Sequence, residues 1–457
     1  MTDTVYDMVI LGAGSGGYAA ALRGAQLGLR VALIEADKIG GTCLHRGCVP
    51  TKAILHSAET AEAVREAAAV GVRAAYQGLD MPAVQRYKNG VISRMYKGLQ
   101  GLVASRGIEV VSGWGRLVAR DTVEVSGRRY RGRNIVLATG SLSKTMGQEI
   151  SGPVMTSDQA LELDRVPASA VVLGGGVIGV ELASAWASMG SQVTIIEALP
   201  HLVPNEDEAI SKQLERAFRK RRIAFRTSTM FESVERTAAG VTVRTADGRT
   251  HDAEVLLIAV GRGPATANLG YEEVGVAMDR GFVLTDDYGR TNVEGVWAVG
   301  DIVPGVQLAH RGFAQGITVA EKIAGLDPRP VDDALVPKVT FCEPEIASVG
   351  LSEARAAELH GAENVTTSEF NVAGNAKSQI LGTQGFVKLV SLKDGPIVGF
   401  HAIGARMGEQ VGEGQLIVSW EADAHDVASL VHAHPTQNET IGEAAMVLAG
   451  KPLHNHG

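Results

Sequence analysis

One pattern occurs twice in this 457-residue chain, and it constrains the fold more than any other feature. Each copy has an apolar run, a GxGxxG turn, a stretch of helical character and a second apolar run that ends in glutamate. The two copies are 162 residues apart at every glycine and at the acid. The glycines are Gly12, Gly14 and Gly17 in the first copy and Gly174, Gly176 and Gly179 in the second, and the acids are Glu35 and Glu197. A repeat of this form predicts two βαβ units and therefore an α/β fold.

The residues of this pattern suit a dinucleotide. The first glycine allows a tight turn, the second lets the backbone approach a pyrophosphate, and the third lets the helix pack on the strand. The helix N-terminus offers N–H groups to the phosphates, and the terminal glutamate binds a ribose diol while it repels a 2′-phosphate. We therefore predict two sites for dinucleotides with an unphosphorylated adenosine ribose, in a protein that passes electrons between two cofactors.

The composition excludes several other classes of protein. The net charge of −8 disfavours a nucleic-acid-binding surface, and Arg23 and Glu181 interrupt the two small-residue stretches that otherwise resemble membrane spans. Three cysteines are too few for the disulfide framework of a secreted protein. The acidic N-terminal residues do not fit a signal peptide. We expect an intracellular, cytoplasmic protein with no membrane span and no nucleic-acid partner.

Cys43 and Cys48 directly follow the first repeat. Structural zinc needs four ligands, and a second close pair is absent from the sequence, so unrelated buried thiols and a redox-active disulfide remain. Residues five apart on a regular helix have Cα atoms about 8.6 Å apart, whereas a disulfide needs less than about 7 Å. A bridged pair therefore requires a distorted turn, for which Gly47 supplies conformational freedom. Pro50 then suits the first turn of the helix that follows.

Thiol chemistry also needs a proton acceptor that titrates near neutral pH, which is the usual role of histidine. His434 precedes a proline, and Glu439 lies five residues later. A turn into a helix between them would place the carboxylate on the imidazole and orient the ring. We predict that these two residues form a His–acid dyad.

Two further apolar runs end in short polar motifs. One ends at Thr139 and Gly140, and the other ends in a Gly-Asp pair at Asp301. An acid at the end of a strand is suited to a polyol such as the ribitol of a flavin.

Together these motifs resemble the flavin-dependent pyridine nucleotide–disulfide oxidoreductases over essentially the whole chain. The resemblance rests on both GxGxxG turns, GGTCxxxGCxPxK, ATG, the second Gly-Asp and HPTxxE. It implies FAD in the first site, NAD in the second, and an α/β fold of two Rossmann-like dinucleotide domains plus a C-terminal α+β dimerisation domain. The expected boundaries are residues 1–145 and 265–334 for the FAD-binding domain, 146–264 for the NAD-binding domain and 335–457 for the dimerisation domain.

The resemblance also implies roles for single residues. Cys43 exchanges with the substrate dithiol, Cys48 lies next to the flavin, and His434, held by Glu439, accepts the proton. The cofactor-binding residues that it implies are Gly12, Gly14, Gly17, Glu35, Thr42, Lys52, Thr139, Gly140, Asp301, Ala309 and His310 for FAD, and Gly174, Gly176, Gly179, Glu181, Glu197 and Gly261 for NAD. Lys52 and Glu181 are expected to pair beside the flavin ring, and the backbone at Ala309 and His310 to approach its pyrimidine end.

Within the family, the chain is most similar to the branch that oxidises protein-bound dihydrolipoyl groups with NAD. The similarity lies in the segments 17–28, 344–350 and 450–454, and in Glu197 being followed by Ala-Leu-Pro rather than by arginines. The resemblance implies a homodimer whose partners are the lipoyl domains of a 2-oxoacid dehydrogenase complex or the glycine cleavage carrier protein. A reductase for mycothiol, glutathione or a similar small thiol is the alternative, and a non-enzymatic role is a third.

For some residues the resemblance does not imply a role. The segment 44–47 between the cysteines reads Leu-His-Arg-Gly, which is expected to alter the charge around the disulfide. Cys342 is expected to be a packed thiol. We predict no metal site, and we interpret His454 and His456 as part of a frayed tail.

Overall fold

The computed structural model describes residues 5–455 of the chain. The helices in this range are α1 Ser15–Gln26, α2 Gly41–His45, α3 Cys48–Glu66, α4 Met81–Ser105, α5 Ser157–Ala160, α6 Val177–Met189, α7 Glu208–Lys220, α8 Ala309–Ile323, α9 Glu353–His360, α10 Ala376–Leu381, α11 Met407–Ser419, α12 Ala424–Ala428 and α13 Glu439–Leu448. Short 3₁₀ turns lie at Ala67–Val70, Gly300–Ile302, Asp333–Leu335, Ala362–Asn364 and Val372–Gly374.

The strands within the same range fall into three large sheets and several short ladders. They are β1 Val5–Leu11, β2 Val31–Glu35, β3 Glu109–Ser112, β4 Gly115–Ala119, β5 Thr122–Val125, β6 Arg128–Leu137, β7 Ser141–Ser143, β8 Val154–Met155, β9 Ser169–Leu173, β10 Gln192–Ile196, β11 Ala224–Arg226, β12 Phe231–Thr237, β13 Gly240–Thr245, β14 Thr250–Ala253, β15 Val255–Ile258, β16 Arg262–Pro264, β17 Met278–Asp279, β18 Phe282–Val283, β19 Val296–Ala298, β20 Lys338–Thr340, β21 Glu345–Gly350, β22 Val365–Asn371, β23 Phe386–Leu392 and β24 Ile397–Gly404.

The chain divides into two compact units. One comprises the residues up to Ala53, Pro82–Lys144 and Gly261–Asp333, and the other comprises Ile54–Met81, Thr145–Val260 and the residues from Ala334 onward.

The first unit contains a sheet with the strand order β3-β2-β1-β6-β5-β4, and β19 also pairs with β6. Strands β1, β2, β3, β6 and β19 run parallel, whereas β4 and β5 are antiparallel additions. The central strands are buried on both faces, as expected for a parallel sheet covered by helices. Helix α1 connects β1 to β2, so the βαβ unit predicted for the first copy of the repeat is confirmed.

The second unit contains a parallel sheet with the order β11-β10-β9-β15-β8. Helix α6 connects β9 to β10, which confirms the second predicted βαβ unit. A separate antiparallel ladder, β12-β13-β14, lies in the same unit. The two repeats therefore fold alike, each with its glycine turn at the carboxyl end of a central strand, where α/β sheets place their ligands.

The second unit also contains the antiparallel sheet β20-β21-β24-β23-β22. Its core is formed with α11, α12 and α13 by residues such as Phe400, Met407, Ile441 and Ala444, all of which are buried. The loop that precedes α13 carries His434, and α13 begins at Glu439.

The fold is therefore of the predicted α/β class, with two parallel sheets that each contain a predicted βαβ unit and a C-terminal antiparallel sheet that packs on helices. The boundaries of the four expected segments stay a prediction. Among residues 5–455, no helix is both long enough and apolar enough to cross a membrane.

Candidate active site

The two glycine turns have the same geometry. Gly12 and Gly174 each have φ of +100°, a left-handed conformation that favours glycine. A Cβ on Gly17 would lie 1.8 Å from the carbonyl oxygen of Gly12, and a Cβ on Gly179 would lie 1.9 Å from that of Gly174. The first and third glycines are therefore required by the turn itself and by the close packing of helix on strand.

The two terminal acids hold these turns. Glu35 accepts a hydrogen bond from the backbone N–H of Ala13 at 2.7 Å, and Glu197 accepts one from Gly175 at 2.6 Å. Each carboxylate therefore lies beside the glycine turn of its own repeat. This is where the ribose of a dinucleotide is bound in such folds.

Both turns have room and hydrogen-bond donors for a pyrophosphate. A Cβ added to Gly14 or Gly176 would find nothing within 4 Å. These residues precede helices α1 and α6, and neither helix has a side-chain cap on its first N–H groups. Space beside a helix N-terminus with free donors fits a phosphate group, so the residues of both turns fit dinucleotide cofactors.

The cysteine segment packs directly on the first turn. The N–H of Gly40 donates to the carbonyl of Ala13 at 2.8 Å, and a Cβ on Gly41 would lie 2.7 Å from the Cα of Gly14. Helix α2, which carries Thr42 and Cys43, begins at this contact. The two glycines before Thr42 therefore allow the cysteines to lie next to the first dinucleotide site.

Cys43 and Cys48 belong to different helices that meet at a sharp break. Cys43 lies in α2, and Cys48 is the first residue of α3, with Pro50 in the first turn of that helix as predicted. Gly47 does not have a positive φ in this structure, in which the two cysteines are not bridged, so its conformational freedom in a bridged pair stays a prediction. A Cβ at Gly47 would lie 3.1 Å from the carbonyl oxygen of Thr42, and glycine is favoured by this close approach.

The break brings the two thiols within hydrogen-bond distance. The hydrogen bond with Cys48, together with burial, raises the pKa of the Cys43 thiol well above its ordinary value, and Lys52 acts in the opposite direction. Cys43 therefore keeps its proton more readily than an ordinary thiol. Cys48 is the first residue of α3, and a helix N-terminus favours a thiolate.

The residues between the cysteines support the local structure. His45 makes a 3.0 Å hydrogen bond to the carbonyl of Ile39 and an edge-to-face contact with Tyr96. Arg46 forms a 3.1 Å ion pair with Asp37. The charge of Arg46 is thus balanced locally. The effect of this segment on the cysteine pair stays a prediction.

Asp301 is part of a polar network that the sequence did not predict. Ser141 donates to the carboxylate of Asp301 at 2.5 Å, and Arg262 donates to the hydroxyl of Ser141 at 2.8 Å and to its carbonyl at 2.7 Å. These contacts arise because β7 and β16 pair with each other. The network fixes the carboxylate at the end of the strand, where a polyol would meet it.

Thr139 has a partner that is distant in sequence. Its hydroxyl lies 3.1 Å from the hydroxyl of Tyr271, which is fully buried. Burial raises the pKa of Tyr271, so this phenol is neutral and serves as a hydrogen-bonding group. Gly140 follows with φ of +75° and turns the chain away from the sheet.

Ala309 and His310 form the first turn of α8, in the same unit as the cysteine pair. The N-cap residue of this helix, Leu308, makes no side-chain hydrogen bond to it. Helix α8 packs so closely on α1 that a Cβ on Gly316 would lie 2.3 Å from the carbonyl oxygen of Gly16. This close packing fixes the N-terminus of α8 relative to the first glycine turn.

The predicted dyad is formed in the second unit. The Nδ1 atom of His434 lies 2.8 Å from Glu439, whose other oxygen accepts from the backbone N–H of Thr436 at 2.8 Å. Burial acts to raise the pKa of Glu439, but the hydrogen bonds from Thr436 and His434 outweigh it and lower the pKa. The His434 side chain is 71% exposed, so its Nε2 side is accessible while Glu439 fixes the ring.

The structure also shows the hydrogen bonds of Glu181 and Gly261, two residues that are predicted to bind NAD. Glu181 is buried on α6 and accepts from the backbone N–H of Phe341 at 2.9 Å. Its pairing with Lys52 stays a prediction. Gly261 has φ of +99°, and its carbonyl accepts from Lys144 at 3.0 Å in the first unit.

The structure also shows the contacts of Cys342 and His454. Cys342 is a buried thiol that contacts the carbonyl of Pro344 at 3.2 Å, in agreement with the prediction. The expectation of a frayed tail is wrong for His454, whose Nδ1 lies 2.7 Å from the buried Glu443. His456 lies outside the described residues. Among residues 5–455, no cluster of side chains suited to a metal ion is found.

Comparison with known families assigns the class of protein. Residues 6–316 match the pyridine nucleotide-disulphide oxidoreductase family, and residues 336–445 match the dimerisation domain of that family. The chain belongs to the pyridine nucleotide-disulphide oxidoreductases. It is an oxidoreductase of the FAD- and NAD-dependent kind.

Individual relatives are similar over almost their full length. The chain is 37% identical to a dihydrolipoyl dehydrogenase of Bacillus subtilis over 99% of each chain. It is 36% identical to the mitochondrial dihydrolipoyl dehydrogenase 1 of Arabidopsis thaliana, over 98% of this chain and 91% of the relative.

Two solved structures have the same fold. LpdA from Mycobacterium tuberculosis matches with a TM-score of 0.90 and 26% identity, covering 96% of this chain and 99% of that chain. The flavoprotein disulfide reductase RclA from Escherichia coli matches with a TM-score of 0.87 and 27% identity, covering 97% of this chain and all of that chain.

Proposed function

We propose that the chain oxidises protein-bound dihydrolipoyl groups with NAD, through the Cys43–Cys48 pair and FAD. The observation that supports this most is the contact between the two thiols at a helix N-terminus, on a segment packed against the first glycine turn. The names of the relatives from Bacillus subtilis and Arabidopsis thaliana specify the same substrate for those proteins. The net reaction converts a dihydrolipoyl dithiol and NAD⁺ into a lipoyl disulfide, NADH and a proton.

In the proposed reaction the oxidised enzyme contains a Cys43–Cys48 disulfide. A substrate thiolate attacks the sulfur of Cys43, the bond to Cys48 breaks, and Cys48 leaves as a thiolate. The second substrate thiol then displaces Cys43, which forms the lipoyl disulfide and leaves the enzyme as a dithiol. FAD held at the first glycine turn would supply the two-electron transfer between this dithiol and NAD.

His434 is proposed as the base for the substrate thiol. Its Nε2 side is accessible, and its Nδ1 is held by Glu439 at 2.8 Å. The carboxylate fixes the ring and stabilises the imidazolium that forms when the proton is taken up. We propose further that the protein is a homodimer in which His434 of one subunit serves the cysteine pair of the other.

The two dinucleotide sites are proposed to have different occupants. The first glycine turn, with Glu35, Thr42, Asp301 and the N-terminus of α8, would hold FAD, because the cysteine segment packs on this turn. The second turn, with Glu197, would hold NAD. Lys52 and Glu181 are proposed to pair beside the flavin ring, where the cation favours the reduced flavin.

The proposed physiological partners are lipoyl domains. They belong to a 2-oxoacid dehydrogenase complex or to the glycine cleavage system, and the proposed location is the cytoplasm. In either case the lipoyl group is carried by another protein, and this enzyme regenerates its disulfide.

Steady-state assays test this function. The purified enzyme should reduce NAD with dihydrolipoamide, and should reduce glutathione disulfide with NADPH at least about a hundredfold less efficiently, a difference of about 2.7 kcal/mol in transition-state stabilisation. Preferred turnover of glutathione disulfide, or of the disulfide of mycothiol, would assign the chain to the small-thiol reductases instead. Cys43→Ser protein is the control for turnover that does not use the cysteine pair.

A further inference from the structure

The loop that carries the proposed base is bounded by two residues that bind the same side chain. This loop, residues 432–438, is called the base loop below. At its start, the Nε2 atom of His432 lies 2.7 Å from one oxygen of Glu413. At its end, Asn438 donates to the other oxygen of Glu413, also at 2.7 Å.

Glu413 lies on α11 and therefore belongs to the body of the antiparallel domain and not to the loop. Its side chain and that of His432 are only 24% and 12% exposed, whereas His434 in the middle of the loop is 71% exposed. The ends of the base loop are thus fixed inside the domain, while its centre reaches solvent.

The ring of His432 also packs tightly on α13. A Cβ at Gly442 would lie 2.7 Å from the Nδ1 of His432, so glycine is needed at this position of the helix. Because α13 begins with Glu439, the contact fixes His432 against the same helix that holds the dyad carboxylate.

The contacts of Glu413 are charge-assisted. The hydrogen bond that His432 donates to Glu413 raises the pKa of His432. Burial acts to raise the pKa of Glu413, but the hydrogen bonds from His432 and Asn438 outweigh it and lower the pKa. Hydrogen bonds in which the donor or the acceptor is ionised are roughly twice as strong as neutral ones, so both ends of the loop are held firmly by the carboxylate of Glu413.

We propose that Glu413 is a positioning residue for the base: by binding His432 and Asn438, its carboxylate fixes both ends of the base loop and so keeps the imidazole of His434 on Glu439. The inference rests on the proposed function for the role of His434. Glu413 acts through the loop and is not itself expected to touch the substrate.

A double-mutant cycle tests this role. Glu413→Gln keeps the size of the side chain but presents an NH₂ group to one of the two donors, so one end of the loop is released. We expect kcat/KM for dihydrolipoamide to fall about tenfold, because a properly placed base contributes about 10²–10⁴ and a displacement of about 1 Å removes part of this. In the His434→Gln background the same change should cause no further loss, since the base through which Glu413 acts is absent.

A second readout does not depend on the substrate. The N–H of Thr436 in the base loop donates to Glu439, so its hydrogen exchange, followed by mass spectrometry of peptides that span the loop, reports loop opening. We expect about tenfold faster exchange in Glu413→Gln. NADH oxidation by ferricyanide, which needs the flavin but not the base, should stay unchanged.

Glu409→Gln is the matched control, because Glu409 is exposed on the same helix one turn earlier. It should match wild type in every assay. Should Glu413→Gln fail to fold, Asn438→Ala releases one end of the loop and keeps the pair between Glu413 and His432. It should lower kcat/KM about threefold, a part of the effect of a displaced base, again without further loss in the His434→Gln background.

The outcomes are separable. Wild-type kcat/KM and exchange in Glu413→Gln would overturn the positioning role, and so would an undiminished tenfold loss in the His434→Gln background. If the wild-type enzyme does not oxidise dihydrolipoamide, the proposed function fails. The exchange of the base loop in Glu413→Gln then decides on the positioning role alone.

Discussion

The carboxylate of Glu197 binds the backbone N–H of Gly175 at 2.6 Å, which fixes an acid beside the second glycine turn. Its other oxygen accepts from the N–H of Leu199 at 2.7 Å, and the residue is only 7% exposed. Because both oxygens are held, the carboxylate cannot turn away from a group that is placed against it. A ribose diol is accommodated at such a position, and a 2′-phosphate is repelled.

We therefore expect the enzyme to prefer NAD to NADP by about a hundredfold or more in kcat/KM, because placing like charges side by side costs several kcal/mol. Glu197→Gln should reduce this preference, chiefly by improving the use of NADP. Initial rates at varied nucleotide concentration measure both values. The same change in the first repeat, Glu35→Gln, is the control and should leave the preference for NAD unaltered in flavin-loaded protein. Similar efficiency of the wild-type enzyme with NAD and NADP would contradict the role of Glu197.

The two cysteines should differ in their spectra. Cys48 begins α3, where the helix N-terminus favours a thiolate, so its thiolate next to oxidised flavin should give a long-wavelength charge-transfer band on partial reduction. Cys43→Ser should show this band without any reductant, and Cys48→Ser should not show it. Absorption spectra recorded across a pH titration check this, and a Cys43→Ser protein without the band at any pH would reverse the assignment of the two thiols.

Mixed dimers should recover activity if His434 serves the cysteine pair of the other subunit. Cys43→Ser is expected to be inactive, and His434→Gln is expected to keep about 1% of the wild-type activity or less, because a placed base contributes about 10²–10⁴. In a mixed dimer, one site combines intact cysteines from one chain with an intact His434 from the other. Random pairing makes about half of the dimers mixed, so about a quarter of the wild-type activity should return.

A dihydrolipoamide assay of all dimers from co-expression of the two variants measures this recovery. Mixed dimers isolated through different tags on the two variants should show about half of the wild-type activity. Each variant purified alone is the control. Activity no higher than that of the single variants would place His434 and the cysteine pair of one site in the same chain.

The stability of the protein should fall between pH 7 and pH 5 because of a buried histidine. His401 is 1% exposed, and burial lowers its pKa to about 4 from an ordinary value of 6.5. The unfolded chain therefore binds a proton in this range that the folded chain does not, so stability is lost as the pH falls. His401 alone should contribute about 2 kcal/mol to this loss.

Denaturant unfolding at pH 7 and pH 5 measures this effect. In His401→Gln the loss between the two pH values should be smaller by about 2 kcal/mol. Asp207, Lys338 and Lys388 act on His401 and remain in both proteins. His360→Gln, at an exposed histidine, should behave as wild type, and an unchanged pH dependence in His401→Gln would show that His401 does not take up the proton.

The sequence alone determined the parts of the site that are local in the chain. Both βαβ units followed from glycine spacing and apolar runs, because such a turn needs glycine at fixed positions and has few alternatives. The contact of Cys43 with Cys48 and that of His434 with Glu439 each span only five residues. The local geometry of the chain therefore restricted the contacts that the two residues of each pair could make.

Only the tertiary structure decided the contacts that hold these groups in place. Ser141 meets Asp301 across 160 residues, and Arg262 reaches Ser141 across 121, because β7 and β16 pair where the chain returns to the first unit. Glu413 meets both ends of the base loop for a similar reason, since α11 and α13 pack on one sheet. No motif or spacing in the sequence distinguishes Ser141, Arg262 or Glu413 from other residues of the same type. The partner of each is fixed only when the packing of the core brings distant segments together.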